Sequence, residues 1–292
     1  MPETLVLMDV DKTIINEQYD LPVPREEFVA ALARAQNAGI TLGLNSDSAL
    51  PTVLGWAKEW GINGPLLAEQ SVLCLQDEGY RTIPMHAELG LFRDLRNAFV
   101  MELLRRETHD ERFLTLVGDV NSIVDKMPTY GTQANGTQLL VAVNGLRQFS
   151  LSFFARARTS QGWARREDSD ANGPVMRRAF DVLKEVAGRS QQFRDLWGKK
   201  DVDNNLRYGI CIVHRKGVHK RTPVARLLEM RTYDQVYMIG DSYPADFLND
   251  ERVVQCAVGN ASEKYKGRCQ MIARQSMAAG VIELLGKIQN GM

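Results

Sequence analysis

Short apolar runs and longer amphipathic stretches alternate along most of the chain. Leu5 to Met8 is an uninterrupted apolar run of strand length that ends in two acids one residue apart, Asp9 and Asp11. Such a run is the pattern of a parallel strand buried on both faces, and acids at its carboxyl end mark where a sheet of that kind opens into a site. Arg25 to Ala38 predicts a helix with apolar positions at Phe28, Leu32 and Ala35, stopped by Gly39. Ile40 to Leu44 reads as a second strand, Thr52 to Trp60 as a helix closed by Gly61, and Pro65–Ala68 with Ser71–Leu75 as a strand pair around Glu69 and Gln70.

From about Pro84 to His214 the pattern changes. A helix over Leu89–Glu107 leads into a strand at Phe113–Val117. The runs 139–143 and 146–154 flank Asn144-Gly145, which predicts a hairpin. Arg156 to Gly173, with the charged run Arg165-Arg166-Glu167-Asp168, reads as a solvated loop, followed by a helix at Pro174–Ala187 and a strand at Tyr208–Val213. Together these make an α+β insert of about 130 residues, a normal domain size. Beyond it, Lys216-Gly217-Val218-His219-Lys220-Arg221 opens a helix running to about Glu229, and Val236–Ile239 is an apolar strand ending in Gly240 and Asp241. Val253–Val258 and a terminal helix at Met277–Gln289 close the chain. The expected class is α/β, a Rossmann-like core with a parallel central sheet and an inserted α+β domain. The core takes residues 1–84 and 215–292, and the insert 85–214.

Composition narrows the function. The 292 residues carry 36 Lys plus Arg against 36 Asp plus Glu, so no basic surplus points to nucleic acid. No apolar run approaches bilayer length and no signal core opens the chain, so a cytoplasmic protein with no membrane partner is expected. Cys74, Cys211, Cys256 and Cys269 have no CxxC spacing, and the four histidines form no HxxxH or HExxH pair, which leaves a zinc site little support. Oligomeric state stays open.

The acids carry the chemistry. Asp9 and Asp11 repel unless a cation sits between them or one keeps a proton, and Mg²⁺ tolerates such a pair. Asp241 and Asp246, with Asp250 in reserve, lie at or just beyond a second strand end and could share that ion. Ser46, flanked by Asn45 and Asp47, ends the second strand where helix N–H groups point at an anion. Lys220, with Arg215, Lys216 and Arg221 as rivals, is unfavourable near a helix start unless an anion is its partner. Each feature also has an ordinary reading: acid turn, N-cap, surface cation cluster.

The Asp9-Val10-Asp11-Lys12-Thr13 stretch, the strand-end Ser46, the Gly217-to-Lys220 segment and the Gly240-to-Asp246 segment, in this order, resemble the four motifs of the haloacid dehalogenase (HAD) superfamily of aspartate-nucleophile phosphatases. Glu69-Gln70 resembles a Glu-Asn-Gly turn, and Val258-Gly259-Asn260-Ala261 a Val-Gly-Asn-Ala stretch, of its Cof-like members. The insert resembles their C2 cap, also known from sucrose-phosphatase-like and phosphoglycolate-phosphatase-like relatives. The resemblance implies that Asp9 is the nucleophile and Asp11 the acid and base, and that Ser46 and Lys220 hold the phosphoryl oxygens. Thr13, Asn45 and Asp47 would contact substrate, and Asp9, Asp11, Asp241 and Asp246 would hold Mg²⁺. A small phosphorylated metabolite, such as a sugar phosphate, a phosphoglycerate derivative or phosphoglycolate, is the implied substrate. A phosphotransferase or phosphomutase would share these motifs, and a non-catalytic metabolite-binding module could share the fold.

Overall fold

The computed structural model describes residues 3–76, 79–109, 113–119, 139–160, 162–165, 168–205 and 209–291. The chain divides into two compact units, one formed by Met1–Met85 with Val218–Met292 and the other by His86–Gly217. Arg166, Glu167 and Tyr208, which fall in the expected loop and closing strand, lie outside the described residues.

The first unit is built on an eight-stranded sheet. Its strands are β1 (Thr4–Met8), β2 (Ile40–Asn45), β3 (Leu66–Ala68), β4 (Val72–Leu75), β5 (Arg81–Pro84), β12 (Gln235–Gly240), β13 (Val253–Ala257) and β14 (Met271–Ile272), in the spatial order β14-β13-β12-β1-β2-β3-β4-β5. The pairs from β14 to β3 are parallel, and β4 and β5 turn back antiparallel. β1 lies between β12 and β2, with Met8 in register with Ile239 and Leu44. All five β1 side chains are buried, which explains its continuous apolar sequence: alternate residues serve opposite faces and both faces are covered. Leu5 and Leu7 pack with Val224 and Leu227 of helix α6 (Thr222–Met230).

The helices of this unit have local causes. α1 (Arg25–Asn37) carries Glu26 and Glu27 in its first turn and Arg34 in its last, as the helix dipole favours. α2 (Leu50–Trp60) starts two residues before the expected Thr52, because Pro51 is accepted in a first turn, and ends at Gly61 with φ 71°. Buried Glu69 accepts a hydrogen bond from the Leu50 N–H at 3.3 Å, so the Glu69-Gln70 turn caps this helix. Gly43 is needed for close approach: a Cβ there would lie 2.4 Å from the Pro65 carbonyl oxygen.

The inserted unit has a six-stranded sheet: β6 (Phe113–Gly118), β7 (Leu139–Asn144), β8 (Leu151–Thr159), β9 (Gly162–Trp163), β10 (Lys200–Asn205) and β11 (Ile210–Arg215). One face packs against α3 (Leu89–His109), α4 (Ser169–Ala187) and α5 (Gln191–Gly198) through Phe92, Phe99, Phe153, Met176 and Leu183. The two-residue hairpin expected at Asn144-Gly145 is corrected: residues 145–150 form the connection. Asn144 Oδ1 accepts from Leu146 N–H at 3.0 Å, an Asx turn, and Arg96 Nη1 holds the carbonyls of Gly145 at 2.7 Å and Arg147 at 2.5 Å.

The loop expected over Arg156–Gly173 is also corrected. β8 continues through Arg156 to Thr159, and α4 begins at Ser169 with Asp168 as its N-cap, accepting from Ala171 N–H at 3.0 Å. α5 and β10 fall where no element was expected. The four cysteines are free thiols, three of them buried. No described helix is long and apolar enough to cross a membrane.

Buried Glu102 anchors α3. It accepts from Arg105 at 2.7 Å and Arg106 at 2.9 Å, and Arg189 approaches to 2.7 Å. The hydrogen bond from Arg105 leads in holding its carboxyl well below the usual range. A depressed folded-state pKa adds stability above the unfolded carboxylate pKa, and that contribution is lost as pH falls below it. Glu102→Gln is therefore expected to cost about 1–2 kcal/mol at pH 7. In urea melts the gap between the two proteins should be full above about pH 4.5 and narrow progressively as pH falls below it, without closing by pH 3.

Candidate active site

β1 and β12 end side by side, and their parallel register brings Asp9 and Asp241 to the same edge of the sheet. The Asp9 N–H still donates to the Ile239 carbonyl at 2.9 Å, so this residue is held by the ladder one position past the strand. Its carboxylate is buried. Thr13 Oγ1, itself fully buried, donates to Asp9 Oδ2 at 2.7 Å, and Lys220 Nζ donates to Oδ1.

Lys220 Nζ also donates to Asp246 Oδ1 at 2.6 Å, so one ammonium joins two buried carboxylates. It lies in the turn before α6 rather than in the helix. That turn is fixed by Thr222, whose Oγ1 accepts from His219 N–H at 2.8 Å while its own N–H donates to the His219 carbonyl at 2.7 Å. Arg215, a rival for this role by sequence, instead pairs with Glu88 at 3.3 Å.

Asp246 is held from all sides. Its Oδ2 accepts from the N–H groups of Asp241 at 3.1 Å and Ser242 at 3.0 Å, and from Ser242 Oγ at 3.2 Å. Behind it, the buried Tyr265 hydroxyl contacts the Asp246 carbonyl and Gln255 Oε1, each at 3.3 Å. Gly240 makes room: a Cβ there would lie 2.5 Å from Asp246 Cβ. Asp250, the reserve ligand, is tied to Arg252 by contacts of 3.0 and 2.7 Å, which hold its pKa at about 2.

Asp9, Asp241 and Asp246 each offer an oxygen within 4.8 Å of the others. This all-carboxylate, hard-oxygen set fits Mg²⁺. The Asp11 carboxylate is not among the three; its Oδ2 faces Ser46 Oγ at 3.4 Å. Ser46 is buried, donates its N–H to the Leu67 carbonyl at 2.9 Å, and receives Ser48 N–H on Oγ at 3.1 Å. Asn45 is the buried last residue of β2, and Asp47 is half-buried in the following turn.

Crowding of like charge shows in the protonation equilibria. Burial pushes Asp9 well above the carboxylate range; Lys220 opposes this, while Asp246, Asp241 and Asp11 add to it. Burial likewise works against the charge on Lys220, but Asp246 and Asp9 outweigh it and drive its pKa up. Asp241 is raised to about 6, by burial first and Asp246 second, against the pull of Lys220 and Lys12.

Residues that sequence reasoning gave no role also belong here. Ser242, Gln255 and Tyr265 buttress Asp246. Asn260 Nδ2 donates to the Lys12 carbonyl at 2.7 Å, in the turn carrying Asp11. Only the Gly259-Asn260-Ala261 run gave a signal for any of them.

Searches against family models and against curated proteins give no match. Solved structures do match over the whole chain. A haloacid dehalogenase-like hydrolase from Bacteroides thetaiotaomicron is 18% identical with TM-score 0.60, covering 98% of this chain and 99% of that one. A Thermoplasma acidophilum protein, 0175, is 17% identical with TM-score 0.58 and full coverage of both chains. A HAD subclass IIB sugar phosphatase is 12% identical with TM-score 0.50, covering 98% of each.

Because the native state holds a proton on Asp241 up to about pH 6, the metal-free protein should lose stability as pH rises from 4 through 6. Asp241→Asn removes that cost. Metal-free Asp241→Asn should gain about 1–3 kcal/mol relative to the parent between pH 4 and pH 7.5, read from urea melts in chelator. The match over the whole length of both chains gives this chain the fold of the HAD-like hydrolases.

Proposed function

We propose that the chain is a Mg²⁺-dependent phosphomonoesterase acting on a small phosphorylated metabolite through an aspartyl-phosphate intermediate. The observation that carries this reading is the buried cluster in which Lys220 bridges Asp9 and Asp246 while Asp241 lies within reach of both. Uncompensated buried charge is costly, and a cluster of acids needing further positive charge suits an ion and a phosphate arriving together.

Asp9 and Asp241 would hold the ion, with the Asp11 carbonyl contributing. Asp246, whose oxygens are already taken by Lys220, Ser242 and the Asp241 N–H, would orient it from outside. When bound, Mg²⁺ supplies positive charge that keeps the carboxylates ionised and screens them from the phosphate.

Asp9 Oδ attacks phosphorus in line with the ester oxygen. Thr13 fixes the rotamer of the attacking group from one side, and Lys220 stabilises it and the equatorial oxygens from the other. Asp11 gives its proton to the departing alkoxide. The Asp11 carboxylate then takes a proton from water, which attacks the acyl phosphate, releases phosphate and restores Asp9. Ser46, at hydrogen-bond range from Asp11, offers its hydroxyl to a phosphoryl oxygen. A sugar phosphate is the favoured class, supported by the fold shared with a sugar phosphatase.

Phosphate release from a panel of sugar phosphates, phosphoglycerates and phosphoglycolate, with and without Mg²⁺, tests the reading. Chelator should abolish turnover and added Mg²⁺ restore it. Asp9→Asn should lower turnover of an aryl phosphate by at least about 10³-fold with unchanged circular dichroism. Full activity in that variant would remove the proposal. Phosphate appearing on an added alcohol rather than in solution would mark a transferase instead.

A further inference from the structure

The turn that carries Asp11 is unusual for its residue types. Lys12 adopts φ 62°, the left-handed region that an L side chain enters at a cost, with its N–H bonded to the Ile15 carbonyl at 2.8 Å. The Lys12 carbonyl accepts from the side-chain amide of Asn260 at 2.7 Å, a residue 248 positions away. The same amide accepts from the Met277 N–H at 2.8 Å. Met277, at φ 50°, is the first residue of helix α8 (Met277–Gly291) and is also left-handed without being glycine. Only one orientation of the amide satisfies both partners, because a carbonyl needs a donor and an N–H an acceptor.

Asn260 is itself immobilised through its neighbours. Val258 N–H donates to the Gly240 carbonyl at 3.2 Å, Ser262 N–H to the Asp241 carbonyl at 2.9 Å, and Gly259 N–H to the Gln275 carbonyl at 2.7 Å. Gly259 allows no side chain, since a Cβ would lie 2.6 Å from the Arg274 and Gln275 carbonyl oxygens. The 258–262 segment is thus bonded to the strand end bearing Asp241 and reaches across to the turn bearing Asp11.

We infer that Asn260 is a positioning residue that sets the Asp11 turn against the Asp241 strand end, and so governs proton transfer by Asp11. The inference rests on the proposed reaction and goes beyond it by assigning a role outside the reacting groups. A side chain that only held α8 would affect stability and leave the proton-transfer steps alone. One acting through Asp11 would matter most where the leaving oxygen needs a proton.

The test uses the full chain with Mg²⁺. Asn260→Asp keeps an acceptor for Met277 N–H but removes the donor to Lys12, and so separates the two bonds. Single-turnover leaving-group release is measured for p-nitrophenyl phosphate, whose leaving group needs no proton, and for an alkyl phosphate from the panel. The alkyl rate should fall about tenfold or more, the p-nitrophenyl rate less than about threefold. On an Asp11→Asn background the Asn260→Asp change should cost no more than about twofold further. Equal losses on both substrates, an additive loss in the double variant, or unchanged rates would overturn the inference. Asp9→Asn, run alongside, separates its failure from failure of the reaction: if Asp9→Asn still turns over, the proposed function falls first.

Discussion

The structure depends on placing several carboxylates and one ammonium at the end of a sheet whose interior is apolar. Asp9 and Asp246 are almost wholly buried, and Lys220 lies between them. Such charge persists inside a protein only where partners are fixed in advance, because the desolvation cost of each ion exceeds what a loosely placed partner returns. The fixing is done by short polar contacts from the backbone and small side chains: Thr13 on Asp9, Ser242 and two N–H groups on Asp246, Thr222 on the turn bearing Lys220. Gly240 is part of the same solution, since any side chain there would occupy the space of the Asp246 carboxylate.

The sheet order explains why these groups meet. β1 is flanked on both sides by parallel strands, so the carboxyl ends of β12, β1 and β2 deliver Asp241, Asp9 with Asp11, and Ser46 to one edge. Parallel sheets place ligand-handling residues at that edge because the crossover loops gather there. The supports behind Asp246 come from later in the sequence, through Gln255 nine residues on and Tyr265 nineteen residues on. The acidic edge therefore draws on five stretches of chain far apart in sequence, those of Asp9, Ser46, Lys220, Asp241 with Asp246, and Gln255 with Tyr265.

Much of this was legible in the sequence for one reason: strands buried on both faces leave a continuous apolar signature, and Gly or Pro marks the ends of the helices between them. β1, β2, β12 and β13 and helices α1 and α2 follow that rule. The inserted unit was less readable. Asn144-Gly145 looked like a tight hairpin, but Asn144 uses its side chain to open a longer turn that Arg96 holds by two carbonyls. β10 is Lys-Asp-Val-Asp-Asn-Asn at an edge of its sheet, where polar residues are tolerated and leave no apolar signal. Arg156 looked solvated, yet it is buried and donates to the Ala155 and Gly209 carbonyls. For the site, the acids were visible as residue types and the resemblance already singled out Lys220 and Asp246; what the sequence did not show is that Arg215 is taken up by Glu88, far away in the chain, and Asp250 by Arg252 two residues on.

The central position of β1 has a consequence for how the molecule is made. Its neighbour on one side, β2, follows within a few tens of residues, but the neighbour on the other, β12, starts at Gln235, after the entire inserted unit. On the ribosome, the N-terminal strand must wait with one hydrogen-bonding edge open while the insert, contiguous in sequence, is synthesised and can collapse first. Maturation of the acidic edge thus cannot precede the emergence of β12, which follows the whole inserted unit.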